Sequence, residues 1–276
     1  MDINSDLIGN MHRREHILPN LEPEDLKRKV YRVIPFHRLL HTLIESHISF
    51  VKPLLWDDPY EAALLKSIME DEGGNKYSLS WHAHNVFANC WTFNSDHDYC
   101  WRVYGESSLN VQIQTTIEKI FYSFSHHILF GNQLFQVGKV KYKTWEELKS
   151  KYEGMHDAWQ ISRLENNYNL SLFDKRIEFE HEDEVRAILR YPNEPQTMQR
   201  MHLSINVNEF IESIMLGPKI GSDFSMNEQL IRKLGYHGEI NQSQIYSIPD
   251  LKIKLKGDRM KEGSPFPPIV DPDQPK

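Results

Sequence analysis

An α+β fold built around one domain is what this 276-residue chain predicts, and three observations predict it. Strand-like and helix-like segments follow one another in mixed order, without the strict alternation that marks a doubly wound sheet. The composition, 39% apolar with 11% aromatic, supplies a core and excludes wholesale disorder. Pro265, Pro267, Pro268, Pro272 and Pro275 then make an end that can neither pack nor pair regularly. The expected layout is a polar lead-in at 1–27, a single α+β domain at 28–255, and a disordered tail at 256–276.

The domain opens with a strand at Val30 to Ile34, closed by Pro35. Phe36, Leu39, Leu40, Leu43 and Ile44 then carry the spacing of a one-sided helix, and Ile48 to Val51 resumes as a strand. A turn at Trp56-Asp57-Asp58-Pro59 leads into a helix expected from Tyr60 to Asp71, ended by Gly73-Gly74. Val86 to Phe93 and Asn110 to Gln114 read as strands flanking a short helix around Tyr99 to Tyr104. Thr115 to Phe124 reads as a helix and Phe135 to Tyr142 as a strand. Thr144-x-x-Glu147 is a capping box for a helix stopping near Gly154, and Met155 to Leu172 reads as a further polar helix. Later come strands at Met201 to Ile205 and Ile211 to Leu216, separated by a short helix at Val207 to Phe210. Ser225-x-x-Glu228 opens a helix ended by Gly235, and Gln244 to Ile248 closes the ordered part.

The formal charge of −7 argues against a broad electrostatic grip on nucleic acid. Cys90 and Cys100 are the two cysteines, ten apart, with no disulfide framework. No run approaches a membrane span, and the polar start Met1-Asp2-Ile3-Asn4-Ser5-Asp6 lacks an apolar signal region. The expected location is cytoplasmic.

Four clusters have chemical potential. In Phe179 to Leu189, a strand would place Glu182, Glu184 and Arg186 on one face and Val185, Ala187 and Leu189 on the other. Two carboxylates and a guanidinium over an apolar face are costly unless used. The alternative is a helix start in which Glu182 and Arg186 form an ordinary i,i+4 pair. Tyr31-Arg32 on the opening strand offers a guanidinium able to clamp a phosphate, or simply a solvated Arg. In Trp56-Asp57-Asp58-Pro59-Tyr60-Glu61 the acids and Pro59 suit a helix cap, which leaves Trp56 free to stack on a base or a nicotinamide ring. Cys90-Trp91-Thr92-Phe93 and Trp101-x-x-Tyr104 read as strand and helix packing. Weaker are His82-x-His84, which has no further zinc ligand at the usual distance, His126-His127, and Gly217-Pro218-x-x-Gly221, best read as a turn.

In order, these segments resemble a large uncharacterised bacterial domain-of-unknown-function family. Its members share a Tyr-Arg strand, a Phe-Asn-Asp-Pro-Phe-Glu motif, a Cys-Phe-Ser strand, a Trp-x-x-Tyr helix and a late Glu-x-Glu-x-Arg. Here they read Tyr31-Arg32, Trp56 to Glu61 (with Asp57 in place of the Asn), Cys90-Trp91-Thr92, Trp101-x-x-Tyr104 and Glu182-x-Glu184-x-Arg186, across about residues 30 to 250. That family in turn looks like the ADP-ribosyltransferase-like superfamily, which implies split, mainly antiparallel β-sheets with flanking helices holding NAD in a cleft. The resemblance implies Glu184 as catalytic carboxylate with Glu182 as its companion, and Arg32 on the pyrophosphate. It also implies Ser49 as the second-strand Ser, and Tyr31, Trp56 or Tyr60 against the nicotinamide or adenine. NAD would then be a substrate, cleaved to water or transferred to a protein, nucleic-acid or small-molecule acceptor. The setting so implied is a toxin or anti-phage effector restrained by an antitoxin or defence-system partner. Two rivals stand beside this: a non-catalytic sensor of the same fold, and a Mg²⁺-dependent nuclease using Asp57, Asp58, Glu61, Glu182 and Glu184.

Overall fold

The computed structural model describes residues 17–78, 83–105, 109–125, 134–153, 168–191, 197–220 and 223–253. His82, His126-His127, Gly221, most of 155–172 and the tail at 256–276 lie outside them. Residues up to 245 form one compact unit; in the second, from Tyr246 on, the described residues 246–253 carry neither helix nor strand.

The alternating apolar pattern of the first half yields β1 (Lys29–Pro35), α1 (Phe36–Glu45) and β2 (His47–Val51) in close succession. Pro35 ends the strand as expected, and Ser46 turns the chain in the left-handed region at φ 50°. The helix expected from Tyr60 to Asp71 shrinks to one turn, α2 (Ala63–Lys66). A hairpin of β3 (Ile68–Glu70) and β4 (Lys76–Ser78) replaces the rest. Turn chemistry won there: Asp71 accepts from the Gly73 and Asn75 amides, both at 2.9 Å, and from the Tyr77 hydroxyl at 2.9 Å.

Next come β5 (Val86–Thr92), α3 (Asp98–Val103), β6 (Asn110–Thr116) and α4 (Ile117–Phe124). Thr116 ends β6 and caps α4, accepting from the Lys119 amide at 3.2 Å. The single strand expected at 135–142 is two, β7 (Leu134–Lys139) and β8 (Lys141–Lys143), which join different sheets. The Thr144–Glu147 box forms both its bonds and opens α5 (Trp145–Glu153). After a 3₁₀ turn at Tyr168–Phe173, β9 (Asp174–Arg176) pairs with β8 in parallel. A second 3₁₀ turn at Ile177–Glu182 precedes β10 (Glu184–Arg190). The chain closes through β11 (Arg200–Ser204), α6 (Val207–Phe210), β12 (Ser213–Leu216), α7 (Phe224–Lys233) and β13 (Glu239–Gln242). Asp223, not Ser225, stands at the N-cap of α7, and the last strand lies at 239–242 rather than at 244–248.

The fold is thus α+β with mainly antiparallel pairing, as expected. The main sheet has nine strands and runs β11-β2-β5-β1-β6-β12-β13, with β10 on the other edge of β5 and β7 beyond it. It splits at β5. One edge of that strand pairs with β10 along its whole length, while β1 and β2 share the other edge at single rungs, Tyr31↔Thr92 and Val51↔Ala88.

One sheet face buries the larger core. Phe87, Trp91, Val185, Ala187 and Leu189 meet α1, α4 and α6 there through Leu39, Phe121, Phe124 and Phe210. Ile17, Leu18 and Leu21, inside the stretch expected to be a polar lead-in, join this core. The reverse face carries two smaller clusters, around Leu65, Ala88, Phe173 and Ile188, and around Val33, Cys100 and Trp101. Among the described residues no helix is long and apolar enough to cross a membrane.

Candidate functional site: a buried charge cluster at the sheet split

Between those two small clusters the sheet face turns polar. Strand alternation sends Glu184, Arg186 and Ile188 of β10 to this side, and Val185, Ala187 and Leu189 to the main core. The strand reading of this segment therefore holds from Glu184 onward, and the helix-start alternative does not. Glu182 departs from expectation: it ends the 3₁₀ turn, and Asp183 bends the chain at φ 41° before the strand begins. An Asp tolerates this left-handed conformation better than most residues. The bend still delivers the Glu182 carboxylate to the same place.

There it meets Lys175 of β9. The Lys175 ammonium lies 2.6 Å from Glu182, 2.8 Å from Glu61 and 3.3 Å from Glu184. Arg186 completes the cluster. Its Nε donates to one Glu184 oxygen at 2.9 Å and its terminal nitrogen to the other at 2.7 Å, a bidentate pair. The same nitrogen donates to Glu61 at 2.6 Å, and the remaining one to the Leu172 carbonyl at 2.6 Å. The Trp56 ring lies 4.3 Å from the guanidinium carbon, so the expected stacking platform is already covered by a cation. Arg186 is 1% exposed, and Glu61, Glu182, Glu184 and Lys175 lie between 5% and 7%.

The electrostatics follow from this crowding. Burial would raise the Glu184 carboxyl, but Arg186 and Lys175 outweigh it and hold the group well below the usual carboxylate range. Burial would lower Lys175, yet the carboxylates of Glu184 and Glu61 push it up. The Cys90 thiol, opposite Arg186 in the β5–β10 ladder, is pushed well up by burial and by the Glu184 carboxylate. Among the described residues three carboxylates face two cations, a formal excess of one negative charge. Desolvating five ions costs several kcal/mol each before their mutual attraction offsets it, so such a cluster is a poor way to gain stability. Perturbed, buried ionisable groups of this kind mark functional sites.

Tyrosines ring the cluster. Tyr104, which sequence spacing assigned to packing, is 38% exposed; burial and the Glu182 and Glu184 charges raise its phenol. The Tyr99 hydroxyl donates to the Glu182 carbonyl at 3.1 Å, and the Tyr142 hydroxyl accepts from the Glu184 amide at 2.9 Å. Register aligns Tyr31, Thr92 and Glu184 across three adjacent strands, so their side chains leave one face.

The other expected residues sit apart. Arg32 alternates away from that row. Its electrostatic neighbours are the Cys90 thiol and the cations Arg38 and Arg200, and burial depresses its guanidinium to about 10. Among the described residues no carboxylate lies within ion-pair distance of it. Ser49 shares a hydrogen bond of 3.0 Å with His202 Nδ1 on the β2–β11 pair. Tyr60 packs edge-on to Trp145 at 4.8 Å and under Arg176, which pairs with Asp58 at 3.0 Å. Asp58 also accepts from the Tyr60 amide at 3.0 Å, the local turn bond expected of it. No group of three His, Cys, Asp or Glu side chains among the described residues is placed to hold a metal ion.

Sequence reasoning missed Lys175. Nothing in Asp174-Lys175-Arg176 distinguishes it from a solvated charge run, and only the β8–β9 pairing carries it to the acids.

No family model matches the chain, and no curated protein sequence matches it. Among solved structures it is similar to DarT of Thermus sp. 2.9 in complex with ADP-ribosylated single-stranded DNA. That likeness has 9% identity and a TM-score of 0.34, covering 81% of this chain and 96% of that one. At those values it carries nothing about residues or activity.

Proposed function

We propose that this chain is an ADP-ribosyltransferase-like protein that takes NAD as substrate, with Glu182 and Glu184 as its acid pair. One observation carries the reading: all five sequence motifs meet at one place. Glu61 and Trp56 reach Arg186, Cys90 stands opposite Arg186 in the β5–β10 ladder, Tyr104 feels the charges of Glu182 and Glu184, and Tyr31 stands in the Glu184 row.

The residues suit the substrate. When the bond between nicotinamide and ribose breaks, positive charge develops on the sugar, and a fixed carboxylate beside it stabilises that charge. A carboxylate held ionised by Arg186 and Lys175 is pre-organised for this. Tyr104, 38% exposed and within reach of the Glu182 and Glu184 charges, offers a ring and a hydroxyl beside the cluster. Arg32, without a described counter-ion, suits a diphosphate. The acceptor, the restraining partner and a toxin or phage-defence role belong to the same proposal.

A second reading, a non-catalytic nucleotide-binding module, is favoured by one feature: both Glu184 oxygens are already engaged by Arg186. Incubating the protein with labelled NAD and cell lysate and fractionating the label separates the two. Transfer or release of nicotinamide, lost by about 10²–10³ in Glu184→Gln, supports the transferase. NAD that raises the melting temperature yet survives intact supports the module, and NAD that neither binds nor reacts removes both.

A further inference from the structure

We propose that Lys175 is the positioning residue of the acid pair, holding Glu182, Glu184 and Glu61 together as ionised carboxylates. The inference rests on the transferase reading for its chemical consequence, but its charge-balance claim stands on geometry alone. Lys175 sits where three chain segments converge: Glu61 from the turn before α2, Glu182 from the 3₁₀ turn, and Glu184 from β10. Arg186 reaches Glu61 and Glu184, and no Arg186 bond to Glu182 accompanies them. Lys175 is therefore the cation that ties Glu182 to the other two acids. The groups facing it are those three carboxylates, the Arg186 guanidinium, the Tyr142 phenol and the Phe179 ring at 4.8 Å.

Its removal has a definite sign. With Met in place of Lys175, three buried carboxylates would face Arg186 alone, and the excess negative charge would grow from one to two. Glu182, which Lys175 contacts and Arg186 does not, would be left without its cation, and the cluster must then take up a proton to remain buried. A carboxyl whose folded pKa is raised above its unfolded value destabilises the fold above that value and is relieved as pH falls. The wild-type cluster behaves oppositely, because Glu184 is held below the ordinary range and loses its contribution in acid.

The test is a melting series from pH 8 to pH 5 on the full chain for wild type, Lys175→Met and Lys175→Met/Glu182→Gln. The expected result is that Lys175→Met gains melting temperature relative to wild type as pH falls, and that the double variant, with the excess acid neutralised, loses this gain. Parallel wild-type and Lys175→Met curves would overturn the charge-balance claim. Should Lys175→Met fail to fold at any pH, the double variant decides: a folded one supports the claim, and an unfolded one assigns Lys175 to packing. In NAD turnover, Lys175→Met should lower kcat by about 10²–10³-fold with little change in KM. Wild-type kcat in that variant would overturn the positioning role. Wild-type protein that leaves NAD untouched removes the transferase reading instead, and the melting series then judges Lys175 by itself.

Discussion

Replacing Arg186 with Met isolates the energetic core of the site. Arg186 is 1% exposed, so solvent screens little of what it does. The substitution keeps a long apolar stem against Trp56 but removes both bonds to Glu184, the bond to Glu61 and the donor to the Leu172 carbonyl. Three carboxylates would then share the single ammonium of Lys175. Breaking a buried pair by removing one partner costs about 3–5 kcal/mol, because an uncompensated charge is left behind. At about 2–4 °C per kcal/mol for a domain of this size, melting should fall by roughly 6–20 °C. Chemical denaturation with an unchanged m-value would read the loss directly. The companion Arg186→Met/Glu184→Gln should recover part of it, since it removes the stranded acid along with its partner. A loss in Arg186→Met below about 1 kcal/mol would mean that the cluster is neither dry nor coupled, and the electrostatic account would be wrong.

Two further outcomes follow from the same geometry. Because Glu184 is held below its ordinary carboxylate range when folded, its contribution is present at neutral pH. It should be lost as pH falls from the unfolded value of about 4.3 through the folded value of about 2, so wild type should lose stability from pH 5 to pH 2 more steeply than Glu184→Gln. Superimposable declines would contradict this. Gly138→Ala should destabilise by about 2 kcal/mol or more, since a Cβ there would lie 2.5 Å from the Pro19 carbonyl, 2.6 Å from the Pro19 ring and 2.7 Å from Phe173. An unaltered unfolding midpoint would show that residues 17–21 move aside freely.

Much of the architecture was legible because alternation survives packing. The strands at 30–34, 48–51, 86–93 and 201–205 were readable from apolar residues two apart, and the box at Thr144 from its reciprocal bonds. Segment 60–71 misled because Ala62, Leu64, Leu65 and Met69 have helical spacing, whereas Asp71, Gly73 and Asn75 specify a hairpin turn that pattern alone does not weigh. In the site, the late acidic segment was legible from its cost: such residues over an apolar face demand partners. The identity of those partners was not. Lys175 reaches Glu184 from 9 positions away and Glu61 reaches Arg186 from 125, and local sequence carries no trace of contacts made only when β9 docks on β8 and the turn before α2 folds over β10. Tyr104 shows the same limit. Its three-residue spacing from Trp101 is that of a packed pair, yet Trp101 goes inside and Tyr104 to the acids.

The position of β10 has a consequence for how the chain is made. This strand lies between β5 and β7, both synthesised well before it, so the gap between those two stays open until about two-thirds of the polypeptide has left the ribosome. Until then Glu61 and Cys90 lack Arg186, and the facing edges of β5 and β7 present bare backbone to any other nascent chain. The element that joins β5 to β7 also carries the acid and the guanidinium, so this join and the charge cluster form in one event.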